Sequence, residues 1–547
     1  MVDLDRSPAD AALTDPVRGT SEPTRFWTLA NTGEVTPGIL SPLDWSVWDN
    51  FELAVRQAWC DLGIMAKSEV FLPTDPNIRQ TGVFYGRHAL NVDYVRWRMG
   101  SIPGGSPDDF ERDTCGSVRS GLKPEKSSNR RLPVMLVKLP GAYRRTDREL
   151  RELNAETKRW WTRDVLRGGA QGDPVADLRA AGARFRATMR LHVRVRTFIT
   201  AIQGALVSLA EAAGHPELAL PLFAGYGDVT ELSLARDFRR LGKGEITLDE
   251  FVAEYGYYGP NEGLVWTTPW RENPESLLPR AHALATREDS EDRERAAVAA
   301  REDAEQQILD AISPLKRPLA RFLFRQAARQ VRNLELGKST YHMAIDGCRA
   351  AARRIGARLA DEGVIDDPED VFFFTVDELE QRPPKRAREI VEYRRSCRKA
   401  YEAIELPMTF YGMPEPVAAP DEQQDVIEIT GIPGSSGTAE GPVRVVRDVD
   451  EEGDDVQPGE ILVCKVTNPS WTPLFALVDA VVIDIGGPNS HGPIIARELG
   501  VPCVINVGNG TSVLRTGDIV RVDGAKGTVT VLSRADSSPS VMPPTAG

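Results

Sequence analysis

Residues 486–500 read GGPNSHGPIIARELG, and they follow the apolar run DAVVIDI at 479–485. A short run of apolar, β-branched residues is typical of a buried strand. The two glycines allow a tight turn, Ser490 is a good helix N-cap, and a proline in the first turn of a helix loses no hydrogen bond. Gly500 is a typical helix stop. The stretch therefore predicts a strand, a tight turn and a helix that begins at His491.

A histidine at the start of a helix is well placed to carry a phosphate. The N-terminus of a helix offers unpaired N–H groups and a partial positive charge of about half a unit. An imidazole with an ordinary pKa of about 6.5 is largely neutral at pH 7 and can act as a nucleophile. The position alone leaves two interpretations of His491 open, a catalytic role and a structural one.

The surrounding sequence is short-stranded and rich in glycine. Apolar runs predict strands at 443–446, 460–466 and 502–507, and the segment DIVRVDGAKGTVTVL predicts a terminal hairpin that turns at Asp523 and Gly524. Together with the helix at His491, these elements predict a compact module of β-strands and helix.

The rest of the chain has a different organisation. Apolar residues recur at spacings of three and four, as between 319 and 334, so residues 26–410 are predicted to be mainly helical. The segment 411–428 holds three prolines and is predicted to be a linker. The sequence therefore predicts an α+β multidomain fold, in which a large helical domain is followed by a small β/β/α domain over 429–534.

Both ends and one internal run lack apolar periodicity. Residues 1–25 and 535–547 are predicted to be flexible tails. The acidic run 448–455 is most simply a solvated loop, with docking to a partner as the alternative.

Composition excludes several classes of function. The formal net charge of −13 argues against a general affinity for nucleic acid and for anionic membranes. The sequence has no signal-peptide pattern and no continuous apolar run of about 18 residues, so we expect a cytoplasmic protein. The six cysteines are scattered without a C-x-x-C pair, and no metal site is predicted.

The run TNPSWTPLFALVDAVVIDIGGPNSHGPIIARELGVPCVINVGNG, followed by RTGDIVRVDGAKGTVTVL, resembles the swivelling phosphohistidine domain of the phosphoenolpyruvate-utilising enzymes. That family includes phosphoenolpyruvate synthase, pyruvate phosphate dikinase and rifampin phosphotransferase. The resemblance implies that His491 is the phosphate carrier.

Four earlier segments, at 84–96, 258–274, 332–343 and 363–379, look like the helical acceptor-binding domain of rifampin phosphotransferase and of phenol-phosphorylating synthases. The overall resemblance is greatest to the phosphohistidine-bearing subunit of two-subunit synthases that phosphorylate phenol or 4-methylphenol. It implies a subunit that works with a separate ATP-grasp subunit, and ATP and Mg²⁺ would bind to that partner. The sequence has no G-x-x-x-x-G-K-[ST] loop, and it ends soon after the swivelling domain, which agrees with that expectation.

The expected reaction moves a phosphoryl group from ATP to His491 and then to the hydroxyl of a phenolic acceptor such as 4-methylphenol. Two alternatives stay open. The acceptor could be an antibiotic or another hydroxyl compound, or the chain could be a regulatory phosphohistidine module without a small-molecule acceptor.

Phosphoryl transfer needs cations around the moving group and a base for the acceptor hydroxyl. The candidate cations are Arg87, Arg332 and Lys338, and the candidate bases are Glu262 and His88. The alternative is surface ion pairing for the basic residues and a structural hydrogen bond for His88.

Overall fold

The computed structural model describes residues 13–102, 105–122, 129–227, 230–287, 290–381, 386–417, 427–488 and 490–535. The chain forms a large helical part and a smaller C-terminal part built on a sheet. The helices of the large part are α1 Thr32–Val35, α2 Pro42–Leu62, α3 Val92–Gly100, α4 Pro107–Cys115, α5 Leu132–Trp160, α6 Pro174–Ala212, α7 Thr230–Gly242, α8 Leu248–Tyr255, α9 Leu278–Ala285, α10 Ser290–Ala311, α11 Arg317–Asp361, α12 Val376–Glu380 and α13 Ala387–Glu402.

Long helices form the core of the large part. Helix α11 packs along α6, and α2 and α5 pack against this pair. Helix α2 shows why such helices start and stop where they do. The Ser41 side chain accepts the N–H of Asp44 while the Asp44 carboxylate accepts the N–H of Ser41, and Gly63 ends the helix in the left-handed conformation at φ 84°. These caps satisfy backbone groups that the helix itself leaves unpaired.

The large part also holds a small antiparallel sheet that the sequence did not predict. Its strands are β1 Phe26–Thr28, β2 Thr81–Phe84, β3 Arg87–Asn91 and β4 Thr409–Tyr411, in the order β2-β3-β1-β4. Trp27 pairs with Phe410, far away in sequence. Strands of three to five residues give little periodic signal, and their partners cannot be read from local sequence.

The C-terminal part is an eight-stranded sheet in the order β5-β12-β11-β7-β8-β9-β10-β6. The strands are β5 Glu428–Thr430, β6 Ile432–Ser435, β7 Thr438–Val446, β8 Ile461–Cys464, β9 Ala480–Ile483, β10 Cys503–Ile505, β11 Ile519–Asp523 and β12 Thr528–Ser533, with helices α14 Val449–Glu452, α15 Thr472–Leu477, α16 His491–Glu498 and α17 Gly510–Val513. Strands β7 to β10 run parallel, and α15 and α16 are the crossovers that parallel pairing requires.

The strands predicted at 443–446, 460–466, 479–485 and 502–507 are confirmed, as is the helix that begins at His491. The terminal hairpin differs in its turn. Asp523 is the last residue of β11, and the connection runs from Gly524 to Gly527, which is in the left-handed region at φ 71°. The Asp523 carboxylate accepts the N–H of Lys526 and fixes this longer turn.

The predicted tails and linker differ from the structure where residues are described. Residues 13–25 pack on the helical part: the Gly86 N–H donates to Val17 O, and the Tyr401 hydroxyl donates to Asp15. Tyr411, at the start of the predicted linker, belongs to β4, because its strand pairs with Phe26. Residues 1–12, 418–426 and 536–547 lie outside the described residues.

One described helix, α6, is long and apolar enough by mean hydropathy to cross a membrane. An 18-residue window of it has a mean hydropathy of 1.2, and 33% of that window is buried in the protein. The helix packs along α11 and α2, as core helices do. A core helix passes the same test, so this finding is weak evidence for a membrane span.

Candidate active site

His491 is the first residue of α16, at the carboxyl end of β9 and directly after the turn. Only 8% of the residue is exposed, and neither ring nitrogen has a hydrogen-bond partner among the described residues. Burial, followed by the charge of Lys338 and by His342, holds the pKa of His491 well below its ordinary value. The ring is therefore neutral at pH 7, and its lone pair is available for covalent chemistry.

The surface that buries His491 belongs to the helical part. Lys338, in the middle of α11, lies with its Nζ 2.8 Å from Oε1 of Glu335 and 4.0 Å from Oε1 of Glu231. Burial alone would lower the pKa of Lys338, but the carboxylates of Glu335 and Glu231 outweigh it and raise the pKa. Lys338 is thus an ammonium ion held in a buried, acidic setting beside His491.

Histidine and tyrosine rings complete this surface. The ring centroid of His342 lies 4.4 Å from that of Tyr341 and 5.6 Å from that of Tyr258. Burial, then the charge of Lys338, lowers the pKa of His342 well below its ordinary value, while burial lowers that of His192 to about 3. These imidazoles are neutral. We call the buried group Glu231, Glu335, Lys338, His192 and His342 the acceptor cluster.

Three carboxylates fasten the C-terminal part over this cluster. Glu34 accepts the N–H of Gly487 and a hydrogen bond from Ser490, and burial raises its pKa to about 8. Oε1 of Glu262 accepts the N–H of Ser470 at 2.7 Å.

The third carboxylate belongs to α16. Glu498 accepts the N–H of Tyr226 at 3.0 and 3.1 Å and the N–H of Gly227 at 3.3 Å. Burial raises the pKa of Glu498 to about 7, against the lowering effect of these two N–H groups. Backbone N–H groups and carboxylates therefore form much of the contact around His491.

Ion pairs form the edge of the same contact. Arg280 of α9 lies 2.8 Å from Asp454, and Asp479 lies 2.5 Å from Arg287 and 3.1 Å from Arg293. Asp454 belongs to the acidic run 448–455, so one member of that run binds within the chain.

A cavity of about 20 Å³ lies between the two parts, lined by residues of α6, α11 and α16 that include Arg196 and Ile494, and by Tyr226 of the segment before α7. A space of that size holds a water molecule but no aromatic ring. An acceptor could reach this part of the contact only if the two parts separated.

Two of the predicted site residues meet at this contact, Lys338 and Glu262. Arg332 lies at its margin: the side chain is exposed and its guanidinium is 3.4 Å from Tyr226 O.

Arg87 and His88 have structural partners instead. Arg87 donates to the carbonyls of Tyr401 and Ile404 and so holds the end of α13. Nδ1 of His88 lies 3.0 Å from Oγ1 of Thr36, and burial lowers the His88 pKa to about 3. The contact of His88 matches its structural alternative, whereas Arg87 binds backbone carbonyl groups and not the surface ion pair that its alternative described.

Several residues of the site were missed from the sequence. Glu335 and His342 stand three residues before and four after Lys338, which places all three on one face of α11. That spacing could have predicted from the sequence that Glu335 and His342 lie beside Lys338. Glu34, Glu231 and His192 come from three other helices, and no local pattern marks them.

The two parts have separate matches among known families. The model for the PEP-utilising enzyme mobile domain matches residues 456–527, and the model for the fourth domain of rifampicin phosphotransferase matches residues 157–335. This chain carries a PEP-utilising enzyme mobile domain. We use "mobile domain" for residues 427–535 below. The rifampicin phosphotransferase match includes every acceptor-cluster residue up to Glu335 and stops just before Lys338.

Similar proteins match over part of their length. The "Uncharacterized phosphotransferase YvkC" of Bacillus subtilis is 35% identical over 304 residues, which is 52% of this chain and 36% of that protein. The rifampicin phosphotransferase of Streptomyces sviceus is 37% identical over 180 residues, 32% of this chain and 20% of that enzyme. The rifampicin phosphotransferase of Bacillus subtilis is 34% identical over 178 residues, again 32% and 20%.

The chain spans only about a third or less of the length of these curated relatives. The aligned region covers 36% of the Bacillus subtilis protein YvkC and 35% of a similar protein from Mycobacterium bovis. Among solved structures, the NMR solution structure of Enzyme I covers 62% of this chain and 80% of its own, at 13% identity and a TM-score of 0.16. A likeness that slight carries no argument about the fold.

Proposed function

We propose that this protein is a phosphotransferase in which His491 receives a phosphoryl group from an ATP-dependent donor and passes it to a hydroxyl compound at the acceptor cluster. The observation that carries the proposal is the position of His491. A neutral ring without a hydrogen-bond partner among the described residues is near enough to Lys338, a half-buried lysine of the helical part, for the lysine charge to act on it.

The geometry supports transfer by positioning and charge neutralisation, which dominate phosphoryl transfer. Lys338 would neutralise the charge of the moving phosphoryl group, while the start of α16 offers backbone N–H groups to it. The contact around His491 combines these polar groups with apolar packing, because one hydrophobic cluster joins Leu474 and Leu499 of the mobile domain to Leu284 of the helical part. Separation of the mobile domain therefore also exposes apolar surface.

The donor site would lie on a separate ATP-grasp subunit with its ATP and Mg²⁺. Among the residues that the structure describes, no group of three or more His, Cys, Asp or Glu side chains could hold a metal ion, so none is assigned to Mg²⁺. This chain would supply the phosphate carrier and the acceptor site, in the cytoplasm.

We propose a phenol such as 4-methylphenol as the acceptor. A phenol has an ordinary pKa near about 10 and needs only modest help to ionise. The rings of Tyr258 and Tyr341 beside His342 would suit an aromatic acceptor.

An antibiotic acceptor is the second candidate, and relatives named rifampicin phosphotransferase favour it. The third candidate is a regulatory phosphohistidine module with no small-molecule acceptor.

Labelled ATP separates these functions. The full chain is incubated with a candidate ATP-grasp protein, ATP labelled at each phosphate in turn, and 4-methylphenol, rifampicin or an aliphatic alcohol. We expect an acid-labile, base-stable label on the wild type and on His215→Ala, which alters an exposed histidine, but none on His491→Ala. A label that no acceptor discharges would support the regulatory module, and aryl phosphate made by His491→Ala would overturn the phosphohistidine route.

A further inference from the structure

Glu231 stands out among the buried polar groups near His491. It lies in the first turn of α7 and is 1% exposed, and neither carboxylate oxygen accepts a hydrogen bond from an N–H or hydroxyl group in the described part of the chain. The carboxyl group of Glu335 is close enough to share a hydrogen bond with it once one of the two is protonated. Oε2 of Glu335 is also buried without a hydrogen-bond partner among the described residues. Buried carboxyl oxygens without partners are costly, so their retention points to a group that they meet during function.

The two carboxyl groups share one cation. Lys338 lies 2.8 Å from Glu335 and 4.0 Å from Glu231. Burial first, and the Glu335 carboxylate second, raise the pKa of Glu231 well above its ordinary value. Two buried carboxylates beside a single ammonium ion favour the uptake of one proton by the pair.

The other groups that face the pair are tyrosines and charged side chains. The charges of Glu231 and Glu335 act on Tyr258 and Tyr341, that of Glu231 on Tyr257, and that of Glu335 on Arg196 and Glu498. The Tyr258 hydroxyl has no hydrogen-bond partner among the residues described.

Lys338 connects this pair to the phosphate carrier, because its charge acts on His491 as well. The pair and the carrier therefore lie around the same ammonium ion. The remaining candidates for a base are less suitable. Glu262 already accepts the N–H of Ser470, and the low pKa values of His192 and His342 make them poor proton acceptors.

We propose that Glu231, paired with Glu335, is the base that takes the proton from the acceptor hydroxyl. This inference rests on the proposed function. In the form of the pair in which Glu231 is ionised, which rising pH favours, the hydroxyl proton moves to the Glu231 carboxylate as the acceptor oxygen forms a bond to phosphorus. The P–N bond to His491 breaks, and its electron pair returns to the imidazole ring. Lys338 holds the phosphoryl oxygens during transfer.

The test separates loading from discharge. His491 is phosphorylated with phosphoramidate, which needs no protein partner, and release of the label is followed in a single turnover. Discharge to 4-methylphenol is compared with discharge to 4-nitrophenol, which is more acidic and largely ionised at pH 8. The variants are Glu231→Gln, Glu231→Asp and the matched control Glu254→Gln, which lies on α8 beside Lys158.

We expect Glu231→Gln to load normally and to discharge to 4-methylphenol about 100-fold more slowly, with a far smaller effect on 4-nitrophenol. Glu231→Asp should recover part of the rate, and Glu254→Gln should match the wild type. The rise of the wild-type rate with pH should be lost in Glu231→Gln.

Two results would overturn the assignment of Glu231 alone. These are an unchanged rate with 4-methylphenol, and an equal slowing with both phenols, which indicates a structural role. Failure of the wild type to discharge to any phenol, alcohol or antibiotic is a different result, since it overturns the proposed function and the base together. Thermal unfolding of each variant shows whether the fold is retained.

Discussion

The centre and the edge of the contact between the mobile domain and the helical part are built in opposite ways. At the edge, Arg280, Arg287 and Arg293 are matched by Asp454 and Asp479. At the centre, both nitrogens of His491 and both oxygens of Glu231 are buried without hydrogen-bond partners in the described structure.

The difference follows from the cost of each arrangement. The edge pairs are partly exposed, because the Asp454 and Asp479 side chains are 42% and 38% exposed although Arg280 is buried. An ion pair in contact with water contributes about 0 to 1 kcal/mol. A buried polar group without a partner costs about 1–3 kcal/mol. The edge is therefore suited to reversible docking, whereas the centre keeps a destabilising arrangement that the proposed chemistry would use.

Removal of the phosphate carrier should have the largest effect. His491→Ala is expected to lower acceptor phosphorylation by more than about 1000-fold, because the proposed route passes through a phosphoryl group on this ring. Product formation with the donor protein present measures it. The protein should still fold, since the ring makes no hydrogen bond in the described structure.

Loss of the central cation should come next. Lys338→Met is expected to slow discharge of phosphohistidine by about 100- to 1000-fold, because the moving phosphoryl group loses its counter-charge. Lys316→Met, at an exposed position just before α11, is the control. Single-turnover discharge measures the effect, and equal rates for the two variants would contradict the role of Lys338.

Glu262 joins the centre to the mobile domain. Glu262→Ala removes the carboxylate that accepts the N–H of Ser470, which keeps Asn468 Oδ1 as its other acceptor at 3.1 Å. We therefore expect docking to weaken by about 0.5–1.5 kcal/mol. Small-angle scattering measures the docked fraction, and Glu275→Ala, at an exposed site, serves as the comparison. A docked fraction that is the same in both variants would show that this hydrogen bond does not hold the domain.

Docking should also depend on pH through Glu498. Its pKa is about 7 when docked, and an exposed glutamate has an ordinary value of about 4.3. The docked state then binds the proton more tightly, so the contribution is complete below about pH 4.3 and is lost as pH rises through 7. The pKa of Glu34 is also raised, so its contribution to docking is likewise lost as pH rises.

We expect the docking equilibrium to weaken by on the order of several hundredfold between pH 5.5 and pH 7, of which roughly tenfold comes from Glu498, as followed by scattering. Glu498→Gln should keep only the part that comes from Glu34. Docking that strengthens as pH rises would reverse the sign and contradict this account.

The edge pairs should give the smallest effect. Arg280→Gln removes the partner of Asp454 and is expected to weaken docking by about 0.2–1 kcal/mol, less at high salt. Arg295→Gln, whose partner Asp292 lies on the same helix, should leave docking unchanged. A larger loss for Arg280→Gln than for Glu262→Ala would mean that the edge, not the centre, dominates docking.

Most strands of the mobile domain and the helix at His491 could be predicted from the sequence. Its strands are short apolar runs between turn residues, and the helix at His491 begins after Ser490 and ends before Gly500, as the sequence predicts. The Ser490 side chain makes no capping hydrogen bond, however, because it bonds Glu34 instead. These signals are local, because chain conformation there depends on neighbouring residues. The small sheet of the helical part was missed because its strands pair across long separations.

The candidate site divides in the same way. Lys338 and Glu262 were predicted and meet at the contact, whereas Arg87 and His88 have structural partners that no spacing could reveal. Glu335 and His342 were within reach of sequence reasoning, since helical spacing places them beside Lys338. Glu231 was not, because α7 meets α11 only in the folded protein.

The sequence by itself determined the strand, turn and helix that present His491, since caps, glycines and apolar spacing act over a few residues. Only the tertiary structure decided what His491 faces. Residues from α1, α6, α7 and α11 converge there through packing between distant segments, and their burial alters pKa values that no sequence pattern encodes.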